Sequence, residues 1–262
     1  MDSNRYPKWL MTVTEIVDRS GDIIRTHDRK PREIQKKGRN DLVTDTDVAV
    51  EQFLKRELLA AFPNTRFLAE ESSGDAGLED MTWIIDPVDG TTNFAHGIPF
   101  VATSVALWDK GRPVLGVINL PLMNELFTAS LGGGAFLNNE RISVSHTEMI
   151  ADCVVATGFP YAISEHLEVI LERLERLLPV VQGVRRPGAA ALDLAFVACG
   201  RFDAFYESAL NPWDTAAGML LVTEAGGEVT ESDGKTSYIP GAPEILATNG
   251  RIHQTVAEMI AV

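Results

Sequence analysis

The acidic residues within residues 83–94 have the types and spacing of a combined cation and anion site. An apolar strand pattern ends at Asp86, a proline enforces a turn, and Asp89 lies three residues after Asp86. Gly90 and Thr91 then begin a predicted helix, whose first N–H groups and hydroxyls can hold an anion. Two carboxylates on one tight turn suit a hard cation. The alternative is an Asx-type turn with a capping aspartate and no ligand.

Further carboxylates follow a predicted strand at Glu70 and Glu71 and begin a predicted helix at Asp214. Taken alone, the glutamate pair is typical of a solvated strand edge, and the aspartate is typical of a helix cap. If Glu70 and Asp214 converge on Asp86 and Asp89, like charges about 4 Å apart cost roughly 4 kcal/mol per pair at an effective dielectric constant of 20. A divalent cation removes that repulsion. Oxygen ligands without histidine or cysteine favour Mg²⁺ over Zn²⁺.

Amphipathic helices and short strands must position these carboxylates. Apolar residues at helical spacing predict helices over residues 9–17, 50–62, 167–178, 190–199 and 214–225. Short apolar runs bounded by turn residues predict strands over residues 66–69, 83–86, 101–108, 114–119, 126–129 and 203–206. At the start of the second helix, Asp45 is interpreted as a capping residue rather than a ligand. The leucines of residues 167–178 form one apolar stripe.

Strands and helices alternate without an internal repeat or a low-complexity linker, which predicts layered α and β structure. A break near Ile150 divides the chain into two halves of one compact unit. Residues 1–150 form a strand-rich α+β half with most of the predicted metal ligands. Residues 151–262 form an α/β half that carries Glu207 and Asp214.

The composition is that of an acidic, soluble globular protein. The 23 Lys and Arg residues against 37 Asp and Glu residues give a net charge of -14 over 262 residues. Such a surface repels phosphate backbones, so general nucleic-acid binding is excluded. The N-terminal residues lack the apolar core of a signal peptide, and no stretch reads as a bilayer span, so we expect a cytoplasmic protein. Cys153 and Cys199 are predicted core thiols rather than a disulfide.

These segments together resemble the inositol monophosphatase family, whose members are Mg²⁺-dependent and Li⁺-sensitive phosphatases. The resemblance is carried by residues 83–93 (WIIDPVDGTTN) and 213–227, and by shorter blocks at residues 41–47, 69–72 and 188–194. It spans about residues 37–249. It implies a layered α-β-α-β-α sandwich of the inositol monophosphatase and fructose-1,6-bisphosphatase type. It also implies a homodimer and two to three Mg²⁺ ions per active site.

The resemblance further implies a set of metal ligands. One Mg²⁺ would be held by Glu70, Asp86 and the carbonyl of Val88. A second would be held by Asp86, Asp89 and Asp214, and a weaker third would lie near Glu70. Asp86 would therefore bridge the first two ions.

Catalytic and phosphate-binding roles follow from the same resemblance. A metal-activated water, positioned by Glu70 and the Thr91 hydroxyl with Asp47 behind them, would attack phosphorus directly. No covalent enzyme intermediate is needed. The phosphate group would lie on the amides of Gly90, Thr91 and Thr92.

Substrate contacts are also implied, and they would grip the hydroxyl-bearing leaving group. The residues concerned are Asp89, Gly188, Ala189, Ala190, Glu207 and Asp214. Members of the family act on inositol phosphates, histidinol phosphate, fructose 1,6-bisphosphate or phosphoadenosine phosphate. The short chain argues against the nucleotide branch. Arg185 and Arg186 resemble the bacterial inositol monophosphatase branch, so inositol 1-phosphate is the leading expectation and the others are alternatives.

Two other functional hypotheses stay open. A bacterial relative is a partner of the transcription machinery, and the basic residues 36–39 with Arg185 and Arg186 could form a docking patch or plain surface charge. A non-catalytic homologue is disfavoured because every expected ligand is present. His96 is expected to be structural. Ala69 replaces a common glycine and is expected to be tolerated if its φ is negative, and residues 119–121 depart from the usual sequence without touching a predicted ligand.

Overall fold

The computed structural model describes residues 5–28, 34–36, 42–72, 77–160 and 162–261. Lys37, Gly38 and Arg39 of the predicted basic patch lie outside the described residues, as does Asp41. The described helices are α1 (Arg5–Asp28), α2 (Asp45–Ala61), α3 (Thr91–Ala95), α4 (Ile163–Leu177), α5 (Ala190–Ala198), α6 (Pro212–Glu224) and α7 (His253–Ile260). A 3₁₀ turn covers Ile150–Asp152. None of these helices combines the length and apolarity needed to cross a bilayer.

The strands of the first half are β1 (Ile34–Lys36), β2 (Leu42–Thr44), β3 (Arg66–Ala69), β4 (Thr82–Asp89), β5 (Ala102–Asp109), β6 (Arg112–Leu120), β7 (Glu125–Ser130), β8 (Gly134–Leu137) and β9 (Glu140–Arg141). Those of the second half are β10 (Val154–Thr157), β11 (Gly183–Arg185), β12 (Ala204–Ser208), β13 (Glu228–Thr230) and β14 (Glu244–Thr248). β1 and β2 form a small antiparallel pair. The other strands form two larger sheets.

The larger sheet has seven strands in the order β3-β4-β5-β6-β7-β8-β9. β3 and β4 run parallel, whereas the following pairs are antiparallel. Every residue of β5 is buried. A strand that is buried on both faces must have other elements packed above and below it.

Helices α1 and α2 cover the outer face of this sheet. Val17 of α1 and Leu54 of α2 are fully buried in one apolar cluster with Trp83, Val105 and Leu115 of the sheet. The helical spacing in the sequence predicts both helices correctly. Packing of these two helices on the sheet holds in place the strands that carry the acidic residues.

Helices α5 and α6 lie between the two sheets. Leu194 of α5 and Leu221 of α6 belong to one apolar cluster with Ile118 and Phe127 of the seven-stranded sheet. The same cluster includes Phe205 of β12, in the second sheet. All residues of α5 are buried, as expected for a helix covered on both sides.

The second sheet has five strands in the order β11-β10-β12-β14-β13. Leu177 of α4 and Val256 of α7 pack with Tyr206 and Leu246 on its other face. The layers therefore run helix, sheet, helix, sheet, helix. This arrangement confirms the expected α-β-α-β-α sandwich.

The break near Ile150 falls in the 3₁₀ turn between the last strand of the first sheet and the first strand of the second. The central apolar cluster draws residues from both halves. We keep the boundary between residues 150 and 151 as a proposal for two closely packed halves.

One local expectation is wrong. The cap of α2 is Thr44, not Asp45, because the Thr44 hydroxyl accepts the Thr46 N–H while Asp47 accepts the Thr44 N–H. The predicted apolar stripe of α4 is only partly buried. Leu177 is fully buried, whereas Leu171 is 56% exposed, because the helix lies on the outside of the second sheet.

Candidate active site

A cavity of about 520 Å³ opens where the ends of β3, β4 and β12 meet the starts of α3, α5 and α6. Every predicted site residue except Asp47 lines it: Glu70, Asp86, Val88, Asp89, Gly90, Thr91, Thr92, Gly188, Ala189, Ala190, Glu207 and Asp214. These residues are separated by up to 144 positions in the chain, and the layered fold brings them together. Their roles stay predictions, whereas their common location is a property of the structure.

The parallel pairing of β3 and β4 places Glu70 beside Asp86. Ala69 pairs with Ile85, and the Glu70 N–H donates to the Ile85 carbonyl at 3.2 Å. Parallel strands end at the same edge of a sheet, so the residues that follow them are neighbours. Ala69 does not have a positive φ, so the methyl group that replaces the usual glycine causes no backbone strain there.

Asp86 is 2% exposed and lies at the centre of the acidic group. Its Oδ1 atom accepts the Val88 N–H at 3.0 Å, which stabilises the turn. Burial raises the pKa of Asp86 well above its usual range, and repulsion from Glu70, Asp89 and Asp214 raises it further. The Asx-type turn and the acidic cluster are thus both present.

Asp89 joins the two halves of the protein. Its Oδ2 atom accepts the Ala191 N–H at 2.7 Å, in the first turn of α5. Burial raises the pKa of Asp89 to about 6, although the backbone N–H groups of α5 act in the opposite direction. The start of a helix favours a negative charge, so this contact stabilises the carboxylate.

Asp214 occupies the third position of α6, not the first. Its Oδ2 atom accepts the Asn211 N–H at 2.7 Å, which completes a capping box with Asn211. Burial raises the pKa of Asp214 well above its usual range, and Asp89 raises it further. Capping and participation in the acidic cluster again coexist in one side chain.

Asp47 lies behind the cavity and contacts Thr91. The Thr91 hydroxyl is 2.9 Å from Asp47 Oδ1 and 2.9 Å from the Val88 carbonyl. Asp47 is fully buried, and burial raises its pKa, while hydrogen bonds from Thr44 and Thr91 act against that shift. Asp47 therefore fixes the orientation of the Thr91 hydroxyl without reaching the cavity itself.

Gly90 allows the sharp turn between β4 and α3. Its φ is +85°, and a Cβ atom at this position would lie 2.6 Å from the Phe100 carbonyl oxygen. Only glycine fits both constraints. Residues 90–92 line the cavity, and the first N–H groups of a helix lack acceptors within the helix.

Glu207 and the loop before α5 form the opposite wall. The Glu207 carboxylate lies against Gly158, where a Cβ atom would be only 2.1 Å from its Oε2 atom. Burial raises the pKa of Glu207 to about 8, Asp89 raises it further, and Arg186 lowers it. Asn93 donates to the carbonyls of Pro187 at 2.9 Å and Gly188 at 3.3 Å, which ties this loop to α3.

Arg186 and Asn93 are residues whose positions sequence reasoning missed. Arg186 lines the cavity, and its guanidinium lies 5.5 Å from the centre of the Phe159 ring. It is therefore part of the cavity wall rather than of a separate basic patch. Asn93 is the last residue of the block at residues 83–93, and its place in that block was the sequence signal that could have identified it. Arg185 instead donates to the carbonyl of Val184.

Buried Asp193 was also missed. It lies in α5, is 1% exposed, and its Oδ1 atom has no hydrogen-bond partner among the described residues. Burial raises its pKa well above the usual range, with a further contribution from Glu207. Its position within an apolar helix pattern gave no indication that it lies beneath the site.

The structural role expected for His96 stays a prediction, whereas the two cysteines are free thiols without a disulfide. His96 is exposed at the rim of the cavity. Cys153 is fully buried, and burial raises the pKa of its thiol to about 12, which makes it unreactive. Cys199 is half-buried, and burial raises its pKa too.

The donor set fits a hard divalent cation. Its side-chain donors are carboxylates, joined by the Val88 carbonyl. Within the described residues, no three Asp, Glu, His or Cys side chains already form a closed cation cage, and Asp89 and Asp214 direct oxygens to helix N–H groups instead. Burial raises the pKa of Asp86 well above its usual range, and repulsion from neighbouring carboxylates adds to that shift. A divalent cation is the group that relieves such repulsion.

Comparison with known proteins identifies one family. The model of the inositol monophosphatase family matches residues 8–261. The inositol-1-monophosphatase of Mesorhizobium japonicum is 45% identical over 229 residues, which cover 87% of this chain and 86% of the relative. The Nus factor SuhB of Salmonella typhimurium is 39% identical over 237 residues, which cover 89% and 88%.

Solved structures share the same fold. The extragenic suppressor protein suhB of Bartonella henselae has a TM-score of 0.90 at 41% identity, covering 96% of this chain and 98% of that chain. The inositol monophosphatase of Anabaena has a TM-score of 0.89 at 36% identity, covering 98% and 96%. An IMPase/NADP phosphatase in complex with Mg²⁺ and phosphate has a TM-score of 0.86 at 25% identity, covering 99% and 97%.

The raised carboxyl pKa values predict how stability depends on pH and Mg²⁺. Well below pH 4 these carboxyls are protonated in both the folded and the unfolded state. As the pH rises from about 4 to 8, the unfolded chain releases its protons first, while Asp89 and Glu207 retain theirs up to about 6 and 8. Without divalent cations, the free energy of unfolding therefore falls over this range. Mg²⁺ should raise the melting temperature more at pH 8 than at pH 5.

Thermal unfolding followed by circular dichroism, with EDTA or with Mg²⁺, checks this prediction. Asp86→Asn should reduce both the loss of stability at high pH and the stabilisation by Mg²⁺. Asp152→Asn, at an exposed position, is the matched control and should behave like the unchanged protein. Equal Mg²⁺ stabilisation of all three proteins would contradict a cation site at the acidic cluster.

Proposed function

The chain belongs to the inositol monophosphatase family and is a phosphoric monoester hydrolase, and from that premise we propose how it acts. It hydrolyses inositol 1-phosphate to inositol and phosphate with Mg²⁺ as its cofactor. The observation that carries this proposal is the acidic cavity of about 520 Å³, where all of the predicted ligands meet a helix start. The volume suits one small monoester with its ions.

The metal-binding residues in this proposal are Glu70, Asp86, Asp89, Asp214 and the carbonyl of Val88. Two to three Mg²⁺ ions share them. When bound, Mg²⁺ neutralises phosphoryl and leaving-group charge and lowers the pKa of water. A solved relative that contains Mg²⁺ and phosphate supports this choice of cation.

Glu70 and Thr91 orient the attacking water in this proposal. The Thr91 hydroxyl is held by Asp47 and the Val88 carbonyl, so its lone pairs keep a fixed direction. Glu70 follows β3 at the cavity wall, where its carboxylate can accept a proton from water. The amides of Gly90, Thr91 and Thr92 hold phosphate oxygens, because N–H groups at a helix start favour anions.

The leaving group occupies the wall that contains Glu207. Carboxylate oxygens of Asp89, Glu207 and Asp214 accept hydrogen bonds from hydroxyl groups, and the backbone of Gly188, Ala189 and Ala190 borders the same space. Acceptors at these positions favour a polyhydroxylated leaving group. Histidinol phosphate and fructose 1,6-bisphosphate are the alternative substrates.

Lithium sensitivity and a cytoplasmic location complete the proposal. A related staphylococcal inositol monophosphatase forms an inhibitory complex in LiCl, which supports Li⁺ as a competitor for the acidic cluster. Two cysteines without a disulfide suit a reducing compartment.

Removing one carboxylate should abolish activity without unfolding the protein. Phosphate release from inositol 1-phosphate should fall at least 100-fold in Asp86→Asn and in Asp214→Asn, because charge neutralisation at phosphorus is lost. Asp152→Asn is the exposed control. A phosphatase panel with Mg²⁺ should rank inositol 1-phosphate above histidinol phosphate, fructose 1,6-bisphosphate and phosphoadenosine phosphate. Full activity in either cavity variant would refute its role as a ligand.

The apolar outer face of α4 supports a homodimer. Ile163, Leu167 and Leu171 recur every four residues and are all exposed, with Leu178 and Val180 beyond them. A continuous exposed apolar stripe marks a protein interface. We propose that a second copy of the chain covers this stripe.

Leu171→Glu should convert the dimer to a monomer, because it places a charge within the apolar stripe. Sedimentation velocity at micromolar concentration measures the change, and the circular dichroism spectrum should stay the same. Glu165→Lys changes an exposed position on the same helix that lies outside the four-residue spacing of the stripe, and it serves as the control. A wild-type protein that sediments as a monomer would exclude this interface.

A regulatory role in transcription is the second candidate, favoured by the relative named Nus factor SuhB. Residues 37–39 of the predicted patch lie outside the described residues, whereas Arg185 and Arg186 are both exposed, and Arg186 also lines the cavity.

A pull-down from cell lysate should recover transcription proteins equally with the wild type and with Asp86→Asn, because binding and hydrolysis use different surfaces. Recovery of no such protein would exclude this second role while leaving the hydrolase function intact.

A further inference from the structure

Arg173 is a buried basic residue outside the cavity wall described above. It lies in α4 and is 6% exposed, and no other Lys or Arg within the described residues is buried to this degree. Burying a guanidinium is unfavourable unless its N–H groups are all paired. The position therefore calls for a specific set of acceptors.

Three different elements supply those acceptors. Arg173 Nη2 donates to Glu244 Oε1 at 2.7 Å, and Nη1 donates to Ser208 Oγ at 3.2 Å. Nε donates to the carbonyl of Ile260 at 2.9 Å. One side chain thus connects the start of β14, the end of β12 and the last turn of α7.

The carboxylate of Glu244 is fully engaged by this group. Its Oε1 atom accepts from Arg173 and, at 3.0 Å, from Ser208, while Ser232 donates to Oε2. Burial opposes ionisation of Glu244, yet its pKa lies below the usual range because Ser232 and Arg173 donate to the charged form. The Arg173–Glu244 contact is therefore a charged pair with satisfied partners.

The network ends at the residue next to Glu207. Ser208 follows Glu207 directly, and both line the large cavity. Arg173, Glu207 and Ser208 also line a second cavity of about 10 Å³, which shares Gly158 with the large one.

The residue directly after Ser208 has a strained backbone conformation. Ala209 has a φ of +60°, in the left-handed region that side-chain-bearing residues disfavour. Its N–H donates to the Pro243 carbonyl at 2.7 Å, directly before Glu244. A strained residue persists only where its surroundings determine its conformation, and this hydrogen bond to the residue before Glu244 is one such constraint.

We propose that Arg173 is a positioning residue that holds Glu207 in the orientation that binds the hydroxyl groups of the leaving group. Arg173 does not touch the substrate; it acts through Ser208 and Glu244. The inference rests on the proposed function because it assigns Glu207 to the leaving-group side. It extends the substrate site to α4 and to the end of α7, which no sequence block indicates.

Substrates with and without hydroxyl groups separate positioning from general stability. Arg173→Gln should raise the KM for inositol 1-phosphate about tenfold with a small change in kcat, since Glu207 contacts a group that does not react. The kcat/KM for p-nitrophenyl phosphate should change less than twofold, because this leaving group carries no hydroxyl. Arg173→Lys retains the charge, and its KM should lie between those of the wild type and Arg173→Gln.

Arg176→Gln is the matched control. Arg176 is on the same helix and also donates to the end of α7, at the Ala261 carbonyl, but it contacts neither Ser208 nor Glu244 in the described structure. Its variant should show wild-type kinetics with both substrates. If Arg173→Gln does not fold, Arg173→Lys decides. Equal losses on both substrates, or no loss on either, in the folded variant would overturn the positioning role.

Hydrogen–deuterium exchange provides a readout that needs no substrate. Peptides from the β12 end, residues 204–210, should exchange faster in the Arg173 variants than in the wild type or Arg176→Gln. Unchanged exchange there would overturn the proposal. If the wild-type protein hydrolyses no polyol phosphate but exchange increases as expected, the proposed function fails while the structural connection from Arg173 to the β12 end stands.

Discussion

Mutual repulsion among carboxylates at one cavity is the constraint on which the rest of the structure depends. Asp86 is buried, and burial raises its pKa well above the usual range, with repulsion from Glu70, Asp89 and Asp214 raising it further. Two of those neighbours accept hydrogen bonds from backbone N–H groups at the starts of helices. Asp89 accepts the Ala191 N–H of α5, and Asp214 accepts the Asn211 N–H directly before α6. The positive ends of the two central helices thus face the acidic cavity. The central layer of the sandwich has an electrostatic role as well as an apolar one.

The direction of the strands explains which residues meet at that cavity. β3 and β4 are parallel, so Glu70 and Asp86 leave the sheet at one edge. β12 ends on the other side of α5 and presents Glu207 from the second sheet. The acidic group and Glu207 therefore come from different sheets, although they line one cavity.

Much of this arrangement can be predicted from the sequence, because the strongest signals are local. The strand before Asp86, the turn at Gly90 and the helical spacing of α1 and α2 each depend on neighbouring residues. The resemblance of a few blocks adds the order of the layers. The family assignment, the fold and the reaction class are all confirmed.

Contacts between distant elements could not be predicted. Asp89 and Ala191 are 102 residues apart, and no periodicity indicates their hydrogen bond. From the sequence, Arg173 is expected to be a solvent-exposed charge on an amphipathic helix, although its acceptors lie in β12, β14 and α7. The exposure of Leu171 likewise depends on which elements pack against α4, and the spacing of the leucines does not predict those elements.

The hydrogen bond between Asp89 and α5 also couples ligand binding in the cavity to the folding of the chain. Asp89, from residues 1–150, accepts an N–H at the start of α5, in residues 151–262. The cavity is lined by residues from both parts of the chain, so neither part alone contains the whole cavity. Anything that binds only the complete cavity stabilises the complete fold by mass action. In the cell, cation and substrate would then protect the chain from proteases, and a destabilised variant would lose its activity through a smaller folded population rather than through a poorer site.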